Sequence, residues 1–254
     1  MDKHNSELIL KMISDESIVL DIGGWIQTFS RADYVIDIMP YQTRGVFGKV
    51  EVGKERFSKN NWIIHDLNSK LKLPFEDKKF DFVVCSHTLE DIRDPLFLCS
   101  EIIRVGKAGY IEVPSREEES IFGLEGKNYT GYCHHRWLIE IKGPEIIFRF
   151  KTHSLNHSWK YHLPNSYRKK MQTNERISYL FWKDSFQYKE VVIISKEKIF
   201  KELEQFVRER KAYPAFFYLP STIIANFKIF VKKLLKLDKS KDDALCNAPE
   251  FYSG

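Results

Sequence analysis

Short β-branched apolar runs recur through the first half of the chain, separated by polar or glycine-containing turns. "SIVLDI" (17–22), "DYVIDI" (33–38), "NWIIHDL" (61–67), "FDFVVCS" (80–86) and "YIEVPS" (110–115) have the length and near-continuous hydrophobicity of strands buried on both faces. Between the last two, Asp94-Pro95 reads as an N-cap and first helical residue opening "PLFLCSEIIRV". A leading helix is expected over 5–16. Strands that alternate with helices or long connections predict an α/β fold with a doubly wound, mostly parallel sheet of Rossmann-like type.

The pattern changes after Ser115. "REEES" and "GLEGKNYTG" read as loop, and "RWLIEIKGPEIIFRFKTH" holds two β-rich runs around Lys142-Gly143-Pro144, which predicts an inserted hairpin. "YKEVVIIS" (188–195) reads as a late strand. The next segment places Ile199, Leu203, Phe206 and Val207 on one face of a helix. A last amphipathic helix is expected over 221–237, followed by a frayed end. The organisation is therefore an α/β domain over 1–195, with a hairpin and substrate region inserted at 116–187, and a C-terminal helical basic extension over 196–254.

Charge refines this division. Residues 1–195 carry 28 basic and 27 acidic side chains, whereas 196–254 carry 12 and 8, so most of the net +5 belongs to the extension. A nucleic-acid enzyme usually surrounds its catalytic domain with basic surface, so nucleic acid is not an expected partner. In the last helix Lys228, Lys232 and Lys236 form a stripe beside Ile223, Phe227, Phe230, Val231 and Leu234. Such a helix either docks on its own domain or makes a peripheral contact with anionic lipid or a partner protein. Cys85, Cys99, Cys133 and Cys246 are scattered without a C-x-x-C pair, the chain opens without a signal-peptide pattern, and no apolar run reaches membrane-spanning length. A reduced, cytoplasmic protein is expected.

The chemistry concentrates at the strand ends. Asp21-x-Gly23-Gly24 closes the first run, where glycines let a ligand approach the backbone, and Asp37 closes the second, where a carboxylate can accept from two ribose hydroxyls. A tight turn and a solvated aspartate would produce the same letters. A full G-x-G-x-x-G fingerprint is absent, since Trp25, Ile26, Gln27 and Thr28 follow Gly24, and the short interval to Asp37 leaves little room for the helix on which a pyrophosphate rests. NAD is therefore not expected. S-adenosylmethionine has no phosphate and needs neither feature.

These stretches carry a family resemblance. With "VLDIGG", "VIDI", "HDLNSKLKLPFEDKKFDFVVCSHTLEDIRDP" and "EIIRVGKAGYIEVPS", residues 17–115 resemble the class I S-adenosylmethionine-dependent methyltransferases, within the broad small-molecule group. The resemblance implies S-adenosylmethionine as cofactor. It also implies cofactor-binding roles for Asp21, Gly23, Gly24, Asp37, Asp66 and Leu67, with Ser86 and His87 close to the sulfonium. The chain departs from the family pattern at Trp25, at Asp91 where a histidine is frequent, and in Lys107-Ala108-Gly109, which lacks a proline.

"GYCHHRW" (131–137) is the candidate acceptor side. His135, His134 or His87 is the candidate general base for a small-molecule or sugar acceptor, with glycan biosynthesis as the candidate setting. Neighbouring residues on a strand face opposite ways, so one of His134 and His135 at most is expected to enter a given pocket. The pair is equally compatible with a hairpin strand that buries one histidine and exposes the other. A metal site could join them to His87, Glu90 or Asp91, but adjacent histidines have no diagnostic ligand spacing and no metal is assigned. The aromatics of "YLFWKDSFQY" (179–188) are either the floor of a ring pocket or core. The alternative to an enzyme is a non-catalytic, methyltransferase-like binding or interaction module whose basic tail docks on a membrane or partner.

Overall fold

The computed structural model describes residues 1–45 and 55–214, together with Phe227 and Val231. The chain divides into two compact units, Met1–Glu209 and Arg210–Gly254. In the first, helix α1 (Lys3–Met12) precedes strands β1 (Val19–Ile22), β2 (Tyr34–Asp37), β3 (Trp62–Ile64) and β4 (Phe82–Ser86). Helix α2 (Pro95–Val105), strand β5 (Ala108–Pro114) and the single-turn helix α3 (Arg116–Glu119) follow. Then come the hairpin β6 (Trp137–Lys142) and β7 (Glu145–Phe150), the short helix α4 (Asn165–Arg168), strands β8 (Ile177–Lys183) and β9 (Gln187–Glu190), and helix α5 (Lys196–Glu209).

The main sheet has the order β3-β2-β1-β4-β5-β8. Its first five strands are parallel, and β8 runs antiparallel to β5. Alternation along the strands separates two apolar layers. Val19, Val35, Phe82 and Val84 face α1 and Ile9. Leu20, Ile22, Val83 and Cys85 face α2 through Leu98, Cys99 and Ile102, together with Trp137 and Phe148 of the hairpin. A strand covered on both sides has no polar face to display, which is why β1 and β4 read as unbroken apolar runs. Asp94 caps α2 by accepting from Phe97 N–H at 3.1 Å, with Pro95 in the first turn.

The five parallel strands and the hairpin agree with the sequence pattern, and no helix separates β1 from β2. Other elements correct it. The "YLFWK" segment is strand β8, whose Leu180 and Trp182 are buried with Phe186 in the core while Tyr179 is exposed. β9 does not join the main sheet but pairs in parallel with β7, making a second sheet of order β6-β7-β9. "REEES" contains a helical turn, capped by Ser115 Oγ, which accepts from Glu118 N–H at 3.2 Å. The domain boundary also moves. α5 belongs to the first unit because it buries Leu203, Phe206 and Val207, with Leu203 packed on Leu138 and Leu155. Of the expected helix over 221–237, Phe227 and Val231 are helical, and the rest lies outside the described residues. Among the described residues no helix is long and apolar enough to cross a membrane.

Candidate active site

The strand order reverses direction between β1 and β4, and a crevice opens beyond the carboxyl ends of strands at such a point. A cleft of about 370 Å³ occupies this position. Gly23, Asp37, Asp66, Leu67, His87 and His134, all expected from the sequence, line it. Trp25, Ile26, Ile38, Asn68, Thr88, Asp91 and Ile92 complete the wall.

The turn after β1 requires glycine for two reasons. Gly23 has φ of +75°, and a Cβ built there would lie 2.0 Å from Thr88 Oγ1. At Gly24 the added carbon would lie 2.4 Å from Asp21 Oδ2. Asp21 and Gly24 are therefore not cleft residues: the Asp21 carboxylate sits buried beneath the turn and accepts from Phe29 N–H at 2.8 Å. Burial raises its pKa to about 7 against the opposing pull of that N–H. Its role is to hold the turn from below.

Asp37 faces the cleft while its oxygens accept from Met39 N–H at 2.8 Å and Trp25 N–H at 3.1 Å. Burial raises its pKa, partly offset by these amides. The two N–H bonds fix the carboxylate and leave lone pairs for a ligand's hydroxyls. Asp66 is fixed in the same way, accepting from Asn68 N–H at 2.9 Å. Ile38 and Leu67 supply apolar wall between them.

The third corner is built on Glu112, which is fully buried on β5. It accepts from Asp2 N–H at 3.0 Å, from Ser86 Oγ at 3.1 Å and from the Tyr110 hydroxyl. His87 Nε2 lies 3.1 Å from its Oε1, and His87 Nδ1 lies 3.4 Å from Glu90 Oε1. His87 adopts φ of +53°, a conformation uncommon for a residue with a side chain, which aims the ring between the two carboxylates. Burial opposes its charge, but Glu112 and Glu90 outweigh burial and raise its pKa to about 9. The two carboxylates therefore favour the imidazolium form of His87, which disfavours it as proton acceptor. Ser86 turns to Glu112 and does not line the cleft.

For Glu112, burial raises the pKa, but His87, Tyr110 and the Asp2 amide together lower it from 4.5 to about 2. A depressed carboxylate stabilises the fold above its unfolded pKa and ceases to do so as pH falls through the folded one. Glu112→Gln is expected to cost on the order of 3 kcal/mol of unfolding free energy near pH 6. Denaturant titrations should show the gap from wild type closing between about pH 4.5 and 2. The gap should also narrow from about pH 6.5 to 9, as His87 loses its proton. A pH-independent gap would assign Glu112 to packing alone.

"GYCHHRW" is not a hairpin strand until Trp137, so strict alternation does not govern it. Arg136 N–H donates to the Glu90 carbonyl at 2.7 Å and ties this loop to the segment after β4. His134 is exposed and lines the cleft, while the side chain of His135 beside it is 8% exposed, their ring centroids 4.4 Å apart. Of the two only His134 lines the cleft, while each has a nitrogen within 4.8 Å of an Asp91 oxygen. His135 Nδ1 is 2.5 Å from Glu119 Oε1, and its Nε2 points toward Asp91 Oδ1 at 3.9 Å. Burial lowers the His135 pKa, but Glu119 overrides it and the net shift is upward. Lys151 Nζ, 2.8 Å from Glu119 Oε2, secures the other carboxylate oxygen. Glu119 was not legible as a site residue. Its only signal was an acidic run just beyond a buried strand.

Comparison with known proteins agrees with this geometry. Residues 34–111 match the family described as "Methyltransferase domain". A demethylmenaquinone methyltransferase of Renibacterium salmoninarum is 31% identical over 116 residues, 45% of this chain and 47% of that protein. The chain thus spans about half the length of the curated relative it matches. Among solved structures, the YcgJ protein of Bacillus subtilis is 23% identical, with a TM-score of 0.35, over 45% of this chain and 52% of its own. A SAM-dependent methyltransferase of Aquifex aeolicus is 22% identical, with a TM-score of 0.34, over 45% of this chain and 66% of its own. The α/β core is similar to class I methyltransferase domains over the matched residues 34–111, and its strand order and cleft are those expected of that class. The cofactor of that class is S-adenosylmethionine. The residues present fit it: Asp37 presents an amide-anchored carboxylate where hydroxyls can bind, and Gly23, Ile38 and Leu67 line the same cleft without charge.

Proposed function

We propose that the chain transfers a methyl group from S-adenosylmethionine to a hydroxyl of a small acceptor. Asp37 and Asp66 would hold the nucleoside, with Gly23, Ile38 and Leu67 as its contact surface. When bound, S-adenosylmethionine supplies an electrophilic methyl on a sulfonium, and the S–C bonding pair stays with sulfur. The chain's own contribution is placement and proton removal. The acceptor end is the side of the cleft lined by Asn68, Asp91 and His134, whose hydrogen-bonding groups suit a polyhydroxylated molecule such as a sugar of a glycan intermediate. There His135 Nε2 would take the hydroxyl proton as the O–CH₃ bond forms. Glu119 fixes the tautomer by accepting from Nδ1–H and stabilises the imidazolium that results.

The observation that carries this reading is the Glu119–His135 pair set behind the wall of the cleft, with the free nitrogen toward cleft-lining Asp91. Thermal shift tests the cofactor half. S-adenosylhomocysteine is expected to raise the melting temperature at concentrations where NAD leaves it unchanged, because the turn lacks the third glycine and the helix a pyrophosphate needs. A larger shift with NAD would defeat the assignment. Methyl transfer to a panel of hydroxyl acceptors tests the other half, and cofactor binding with no turnover on any of them would leave a binding module.

A further inference from the structure

We propose that Asp91, His134 and His135 form a binding site for one divalent first-row transition cation at the acceptor end of the cleft. The existence of this site is independent of the methyl-transfer reading. Its role, acidifying an acceptor hydroxyl, rests on that reading.

Each of the three residues offers one ligand atom, and these atoms lie within 4.8 Å of one another. Donors around one zinc-sized ion sit about 2.0–2.2 Å from it, so they are at most roughly 4 Å apart. The His135–Asp91 distance of 3.9 Å already meets this limit. That distance is too long for a hydrogen bond, and Asp91 Oδ1 has no hydrogen-bond partner although it is shielded from solvent. His134 is exposed, its nearest carboxylate partner is Glu125 at 3.8 Å, and it offers the third ligand atom within 4.8 Å of the other two.

Two further observations point to a cation. His135 is more than nine-tenths buried and makes no hydrogen bond through Nε2, while Nδ1 is held by Glu119. A carboxylate on one imidazole nitrogen, with the other presented to a second ligand, is the usual outer support of a metal-bound histidine. Beside it Glu90 is 1% exposed, and neither carboxylate oxygen has a hydrogen-bond partner. Its single ion pair, with His87 at 3.4 Å, leaves this end of the cleft rich in negative charge that a cation would offset.

Two imidazoles and one carboxylate favour zinc, manganese or iron(II) over magnesium or calcium, which prefer all-oxygen sets. Three protein ligands also leave coordination positions for a hydroxyl. A bound ion and a proton compete for His135 Nε2. With the ion present, loss of the hydroxyl proton is assisted by the cation, and with it absent, by the imidazole.

Full-length protein stripped with chelator and titrated calorimetrically with Zn²⁺, and separately with Mn²⁺, should bind one equivalent of either. Co²⁺ should give visible absorption of a nitrogen- and oxygen-ligated ion. Asp91→Asn and His135→Ala should each weaken binding at least tenfold. Glu119→Gln, which alters the bond supporting His135 and the ion pair with Lys151 but removes no proposed ligand, should weaken it by about 10–100-fold. Cys133→Ser should leave it unchanged. That control is needed because Cys133, Glu125 and His134 form a second, fully exposed group. Circular dichroism verifies that each variant is folded. Absence of stoichiometric binding by the wild type would overturn the proposal, as would binding lost in Cys133→Ser and kept in Asp91→Asn. Binding of S-adenosylhomocysteine, measured on the same samples, separates the two readings. S-adenosylhomocysteine binding without metal binding defeats only the cation site, whereas metal binding without S-adenosylhomocysteine binding supports the cation site and defeats the methyl-transfer reading.

Discussion

His135→Ala is expected to lower methyl-transfer turnover by about 10²- to 10⁴-fold while leaving S-adenosylhomocysteine affinity nearly unchanged. An alcohol attacks poorly while protonated, and a positioned base typically contributes a factor of that size. The geometry singles out His135 over its neighbours. His87 is held as a cation between Glu112 and Glu90, and His134 has no oriented carboxylate closer than Glu125 at 3.8 Å. His135 alone has a short bond from Nδ1 to a buried carboxylate and a second nitrogen unoccupied. Because Glu119 raises its pKa above the usual 6.5, the working, neutral form grows as pH rises. Turnover of the chelated wild type should therefore increase through and above pH 6.5, and His135→Ala should lose that limb. Glu119→Gln should shift the limb toward lower pH. An unaltered profile in His135→Ala would move the base elsewhere, and loss of turnover in His87→Ala alone would reduce "GYCHHRW" to scaffold.

The second large effect is expected at Asp37. Asp37→Ala should weaken S-adenosylmethionine binding by about 1.5–3 kcal/mol, the scale of hydrogen bonds to a charged group, or roughly 10- to 150-fold. The carboxylate is held by the Trp25 and Met39 amides, so it meets its ligand without first being ordered. Asp37→Asn separates charge from shape: it keeps one acceptor oxygen and should recover part of the loss. Calorimetric titration of the folded variants decides. An unchanged dissociation constant in Asp37→Ala would show that this carboxylate does not hold the ribose, and Asp66, across the same cleft, would be the next residue to replace.

The contrast between Asp21 and Asp37 shows how far letters alone go. Both end a short apolar strand, and both read as ligand-binding acids. Register then divides them: Asp21 pairs with Val35 and Val84 in the sheet interior, whereas Asp37 is the last residue of β2, paired with Ile64, and opens onto the cleft. Gly23 and Gly24 divide in the same way, one meeting Thr88 beside the cleft and the other resting on Asp21. Ser86 and His87 were read as a pair near the sulfonium. The turn after β4 sends the serine to Glu112 and the histidine to the wall.

With Asp66 and Leu67 pointed to only by the family resemblance, the sequence by itself determined the five parallel strands, the helix capped by Asp94, the absence of a first crossover helix and Asp37 as a candidate ligand-binding acid. These follow from local patterns, because strand burial, capping and turn chemistry act over a few residues and leave their mark in the order of the letters. Only the tertiary structure decided that β8 returns antiparallel beside β5, that α5 belongs to the first compact unit, and that Glu119 stands behind His135 with Asp91 in front. Asp91, Glu119 and His135 come from three separate segments. Their meeting depends on the Arg136–Glu90 backbone bond and on packing of the hairpin against the sheet, and such long-range contacts have no fixed spacing in sequence.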